Sequence, residues 1–259
     1  MENHLAIHQT ASTTDDDILD NIDGRMHGPM SRFIKKYFGD FQYVYEDPIL
    51  EIQTGGRVRG RCAVPAAAPS PDTFLQWFPD YVSRQSEGAR GSWHISSDES
   101  ADNGTRLLLT MPAALSSNVQ ITWDHVQVIG QFYDRRCVCY QDGLLRLCQS
   151  AHQVFASQPT RLFLHGFYIR GSLIELWAFD RSGLYCSDVF DIRKDFIQFL
   201  SVILSYQRMT DDDLGKINII EADDGDSYII LDTAKLYLEN QPIASREGLV
   251  GTGTTCYRR

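Results

Sequence analysis

Residues 153–191 read QVFASQPTRLFLHGFYIRGSLIELWAFDRSGLYCSDVFD, and this stretch decides what kind of fold the chain can adopt. It opens on the end of a helix-period pattern: Leu144, Leu145, Leu147, Cys148, Ala151, Val154 and Phe155 fall on one face over 143–157, and Pro159 stops it. Two apolar runs follow, 161–169 and 173–179, rich in aromatic and branched side chains and joined by Arg170-Gly171-Ser172. That pattern predicts two strands in a hairpin. Asp180-Arg181-Ser182-Gly183 then predicts a tight turn, in which the Asp carboxylate accepts from turn N–H groups, Gly takes a positive φ and Arg pairs with a neighbouring carboxylate. An apolar helix over 195–206 follows.

Working outward, residues 106–111, 119–123 and 126–132 read as short strands. Strands, helix, strands and helix make this region α+β or mixed α/β. Further upstream the chain predicts helices at 31–38, with Ser31 as N-cap, and at 72–84, which Pro79 would kink or end. Between them, 54–70 is rich in Gly, Arg, Ala and Pro and reads as a loop. The first 25 residues read as a flexible acidic arm carrying a short helix at 16–22. Downstream, 227–232, 235–239, 249–250 and 254–257 read as β structure. The expected units are the arm at 1–25, a helical segment and loop at 26–90, an α/β core at 91–210 and a β-rich part at 211–259.

The chain has 259 residues, 43% of them hydrophobic, enough to build a substantial core. No apolar stretch reaches membrane-spanning length, and the amino terminus lacks the basic and apolar regions of a secretory signal. Net charge is −10, with acid at 15–17, 211–213 and 221–226 expected on solvated loops. That balance argues against a nucleic-acid surface, because phosphate contacts need clustered Lys and Arg. Six cysteines without an export signal predict reduced thiols and an intracellular protein, cytoplasmic or nuclear.

Chemistry-bearing groups are sparse. Cys137 and Cys139 with Cys148 and His152 supply half of one zinc knuckle, so packed thiols are expected and no metal site. His125, His152 and His165 lie on apolar segments and are expected to be packed. Asp124 and Asp134 read as surface turn residues, and no Ser/His/Asp or Cys/His arrangement suggests a nucleophile.

Three segments together resemble the fungal-type protein kinase family: VFxxQPxR at 154–161, LWxFDRSG at 176–183 with SxxFDI at 187–192, and MTDDDLG at 209–215. The order and spacing are specific, and the resemblance covers roughly 70–259. It singles out Gln158, Arg161, Asp180, Arg181, Ser182 and Gly183 as motif residues. It also implies that the start of a kinase N-lobe begins near the end of this sequence, where Gly251 and Gly253 resemble the opening of a glycine-rich turn that approaches ATP phosphates. A third Gly is missing, since Cys256 stands in its place. The segment around 104–132 resembles a PD-(D/E)xK nuclease core, in which two carboxylates hold Mg²⁺ and a lysine orients water. Here Gln131 and Tyr133 occupy the acid and lysine positions and no Pro-Asp precedes them, so the resemblance implies a pseudo-nuclease scaffold without metal.

His-Arg-Asp and Asp-Phe-Gly occur nowhere in the chain. The expectation is therefore the non-catalytic amino-terminal region of a fungal-type kinase-like protein, truncated before the catalytic motifs, with ATP and Mg²⁺ belonging to a full-length relative. The alternative is a stand-alone protein-interaction module on the pseudo-nuclease scaffold; an active Mg²⁺ nuclease is disfavoured. A protein partner is expected, and neither nucleic acid nor membrane.

Overall fold

Two eight-residue runs at the centre of the chain are apolar on both sides, and such runs must be covered on both faces. The computed structural model describes residues 15–39, 67–84, 88–97, 104–111, 121–135, 139–217, 221–223, 226–231, 234–238, 244–245, 249–250 and 255–256. In chain order the elements are α1 (Asp15–Ile22), β1 (Met26–His27), α2 (Phe33–Phe38), α3 (Phe74–Arg84) entered through a 3₁₀ turn at Pro71–Thr73, β2 (Ser92–Ser97) and β3 (Thr105–Thr110). They continue with a 3₁₀ turn at Trp123–His125, β4 (Val126–Tyr133), α4 (Tyr140–Ser157), β5 (Phe163–Arg170), β6 (Leu173–Asp180), β7 (Leu184–Cys186), β8 (Phe190–Asp191) and α5 (Phe196–Arg208). Beyond these come β9 (Glu221–Asp223), β10 (Asp226–Leu231), β11 (Ala234–Leu238), β12 (Ala244–Ser245) and β13 (Thr255–Cys256). The mixed α+β architecture expected from the sequence is present.

The main sheet has eight strands, ordered β1-β7-β6-β5-β4-β3-β2, with β8 pairing β6. Its centre is the parallel pair β4–β5, with Gln131 level with Tyr168 and Tyr133 level with Arg170. Parallel neighbours need a crossover, and α4 supplies it. β5 and β6 form the expected antiparallel hairpin, turning at Gly171 with φ 60°.

Alternation along the strands sends side chains to two cores. Phe132, Phe167, Ile174 and Leu176 meet Phe74 and Phe78 of α3 and Phe199 and Ile203 of α5. Ile129, Tyr133, Tyr168, Trp177 and Phe179 meet Leu144, Leu147, Ala151 and Val154 of α4, and Ile18 and Ile22 of α1 join that side. Phe78 and Phe199 are fully buried; truncating either to Ala would cost about 3–5 kcal/mol. Gly130 permits the close packing of β4 on β5, because a Cβ there would stand 2.3 Å from the Phe167 ring.

Local expectations fail where tertiary contacts outweigh them. α2 starts at Phe33 and its N-cap is Arg32 at φ 66°, with no side-chain cap bond, so Ser31 does not cap it. α3 runs through Pro79, because Phe78, Tyr81 and Val82 are buried on both sides of it. Trp123 lies in a 3₁₀ turn, so the described part of the strand expected at 119–123 is not strand. His125 is half-exposed, bonded to Thr122 and paired with Asp124, and is not packed in the core. Acid at 15–17 forms the first turn of α1, where negative charge is favourable at the helix dipole. Glu221, Asp223 and Asp226 lie in β9 and β10, an antiparallel pair, in place of the expected loop. Leu249 and Val250 are buried against the α1–α4 core and are not strand.

Candidate functional site

The β4–β5 pair has two ends, and polar side chains gather at both. The amino end holds VFxxQPxR, the Asp180–Gly183 turn of LWxFDRSG and MTDDDLG, while SxxFDI pairs with β6 near the other end, Asp191 opposite Leu173. Gln158 caps α4 and its Nε2 donates to Trp123 O at 2.8 Å and Val126 O at 2.7 Å. Arg161, 2% exposed, spends its whole guanidinium on acceptors: Phe163 O, Val126 O, Gln127 O, Leu214 O and Gln158 Oε1, all at 2.5–3.0 Å. Burial pushes the guanidinium below its ordinary range, but five donors matched to five acceptors hold it in the protonated form.

MTDDDLG closes the same end. Asp213 Oδ2 accepts from Thr210 N at 3.0 Å and Thr210 Oγ1 at 2.7 Å, folding the turn that presents Leu214 O to Arg161. Gly215 (φ 76°) touches β5, where a Cβ would stand 2.4 Å from Phe163 O. His165, fully buried among Tyr37, Phe163 and Tyr206, has its Nε2 3.1 Å from Asp213 O. A carbonyl only accepts, so that nitrogen carries the proton. Desolvation holds the ring pKa down to about 4.

Asp180 lies opposite Phe163 across the hairpin, again at this end. Its Oδ1 accepts from Ser182 N at 2.7 Å, Ser182 Oγ at 2.5 Å and Gly183 N at 2.9 Å. A Cβ on Gly183 would stand 2.7 Å from Arg25 O. Arg181 lies 4.3 Å over the Phe155 ring. The motif residues thus build joints between strands, turns and α4.

The carboxyl end differs. Gln131 is 1% exposed and, among the described residues, neither of its amide atoms has a hydrogen-bond partner. The Tyr168 hydroxyl, level with it on β5, is equally unpartnered. Tyr133 packs edge-on against Tyr168, and Gly104 is pressed against Gln131 and Tyr133. Arg170 lies 4.7 Å over the Tyr140 ring and 5.6 Å over the Tyr168 ring, and makes no hydrogen bond through its side chain among the described residues. Tyr140 Oη donates to Glu175 Oε2 at 2.7 Å, and Trp177 Nε1 donates to the same oxygen at 3.1 Å. Burial raises the Glu175 carboxyl, opposed by those two donors and by Arg170. Burial and Glu175 together push the Cys186 thiol up to about 11.

Sequence reasoning found Gln131 and Tyr133 but missed Tyr140, Tyr168, Arg170 and Glu175. A signal existed: Tyr168, Arg170 and Glu175 are polar-capable positions on one face of otherwise apolar strands. Cys148 is buried, with its thiol pushed up to about 12 by burial, and Cys139 is exposed. Among the described residues no group of His, Cys, Asp or Glu could hold a metal ion, and no helix is long and apolar enough to cross a membrane. Gly251, Gly253 and Cys137 lie outside the described residues.

A family model, fungal protein kinase, matches residues 108–259. No curated protein and no solved structure matches the chain.

Proposed function

Because the chain belongs to the fungal protein kinase family, we propose that it serves as the non-catalytic amino-terminal scaffold of such a kinase and transfers no phosphoryl group by itself. The observation that carries this reading is the meeting of four motif residues at one end of β4–β5, where Gln158, Arg161, Asp180 and Asp213 are consumed by structural hydrogen bonds. Phosphoryl transfer needs a lysine on the nucleotide, a base on the acceptor and carboxylate-held Mg²⁺. The chain contains neither a His-Arg-Asp nor an Asp-Phe-Gly tripeptide to supply the last two.

On this reading Gly251 and Gly253 open a glycine-rich turn whose nucleotide and Mg²⁺ are engaged only with further kinase elements. The nuclease-like positions support no rival chemistry. β3 and β4 are adjacent, with Arg106 opposite Gln131, so a cation, a neutral amide and the phenol of Tyr133 stand where the resemblance would require acid and lysine. Incubating the purified chain with radiolabelled ATP, Mg²⁺ and a general acceptor protein tests the reading. No transfer above the blank is expected. Incorporation that scales with chain concentration and survives repurification to constant specific activity would overturn it.

A further inference from the structure

We propose that the carboxyl end of the β4–β5 pair binds a phosphate-sized oxyanion, held by Arg170, the Tyr168 hydroxyl and the first turn of α4. Ligands in sheets with parallel strands settle outside the carboxyl ends of those strands, where the following helix points its free N–H groups at them. α4 is an eighteen-residue helix that follows β4, and its N-cap residue, Cys139, makes no side-chain cap bond. Tyr168 is aimed into that turn: a Cβ on Gly143, the fourth residue of α4, would lie 2.0 Å from its Oη. Glycine is therefore what lets the hydroxyl reach the helix start. The hydroxyl is 2% exposed as part of its residue and, among the described residues, has no partner. Leaving a buried donor unmade costs about 1–3 kcal/mol, and a ligand oxygen is the acceptor this geometry lacks.

Arg170 adds a fork of donors with no acceptor among the described residues, fixed in orientation by the Tyr140 and Tyr168 rings. A planar guanidinium with open donors matches a tetrahedral oxyanion two oxygens at a time. Gln131, level with Tyr168 on β4, carries a further open donor, Nε2, beside an equally open acceptor, Oε1. Three carboxylates oppose an anion. Glu175 is already held by Tyr140 and Trp177, while Asp142 and Asp134 are exposed. Cys139 is exposed and Tyr140 and Arg170 are partly so. The inference does not depend on the kinase reading, which concerns ATP at another part of the chain.

Calorimetric titration with inorganic phosphate and, separately, O-phosphoserine tests it, at ionic strength held constant with chloride. A single saturable site is expected. Arg170→Gln should weaken it by about tenfold or more, a charge-assisted hydrogen bond being worth at least one decade. Tyr168→Phe keeps the ring, removes only the unpartnered hydroxyl and should also weaken binding, so a folding failure of Arg170→Gln would not rescue the idea. Tighter O-phosphoserine would assign the oxyanion to a phosphomonoester, and equal affinity to free phosphate. No saturable heat with either probe, or one dissociation constant shared by the parent and both variants, would overturn the site.

Discussion

The two ends of the β4–β5 pair each hold a buried or half-buried arginine, and the two arginines are satisfied differently. At the amino end a buried arginine meets five acceptors and a buried histidine donates to a carbonyl. At the carboxyl end a half-buried arginine, a buried tyrosine and a buried glutamine leave donors open among the described residues. Polar groups in a protein interior are retained either because their partners are supplied by the fold or because something outside the fold will supply them. The family motifs mark the first kind here. Of the quoted motifs only SxxFDI reaches the carboxyl end, and its Asp191 is bonded to Ser172.

The largest break in this comparison should come from Arg161→Ala. Four backbone carbonyls and the Gln158 amide oxygen each lose a donor at once, and the turn at 210–215 loses the bond from Leu214 O to Arg161. A stability loss of about 4 kcal/mol or more is expected, in the range reserved for broken buried networks. Urea denaturation measures it. A loss under about 1 kcal/mol would mean that the amino end is no more tightly specified than the surface.

Next in size is the response to acid through His165. Its folded pKa is about 4, against an ordinary value of 6.5. Between those values the unfolded chain binds the proton and the folded chain does not, so stability falls as pH drops through that window and is fully present above it. The slope contributed should approach about 1.4 kcal/mol per pH unit. Denaturation midpoints at pH 7.5, 6 and 5 should therefore fall more steeply for the parent than for His165→Asn. Parallel curves would show that the ring titrates as in the unfolded chain.

The smallest effect, opposite in sign, sharpens the contrast. Gln131→Leu replaces a buried amide lacking partners among the described residues with an apolar side chain of similar size. The free protein should gain about 1 kcal/mol, since the desolvation cost of the amide disappears. A thermal melt without added anions checks it. Destabilisation instead would reveal partners for the amide in the folded chain.

Much of the architecture could be read directly. The 3.6-residue period over 143–157, the two apolar runs and the Gly171 turn gave α4, β5 and β6 within a few residues, because strong local pattern and tertiary demand agree there. Asp180 was legible as the centre of a turn for the same reason, since short-range carboxylate-to-N–H bonds depend on little beyond neighbours in sequence. Gly183, however, does not take the positive φ expected of it and is needed for its close approach to Arg25 O. Arg161 was picked out by family resemblance, yet its role could not be read, since its partners lie on β4 and at Leu214, far along the chain. Ser31 as a cap and 119–123 as strand were plausible locally and lost to packing. The sequence alone determined the main helices, the central hairpin, the family and the absence of the two kinase tripeptides, all of which depend on residue identity and short spacing. Only the tertiary structure decided that Gln158, Arg161, Asp180 and Asp213 meet at one end of a parallel pair, and that Gln131, Tyr168 and Arg170 meet at the other. Parallel pairing through an eighteen-residue crossover helix sets which distant residues share a level, and hydrogen-bond satisfaction is a property of that level rather than of any one residue.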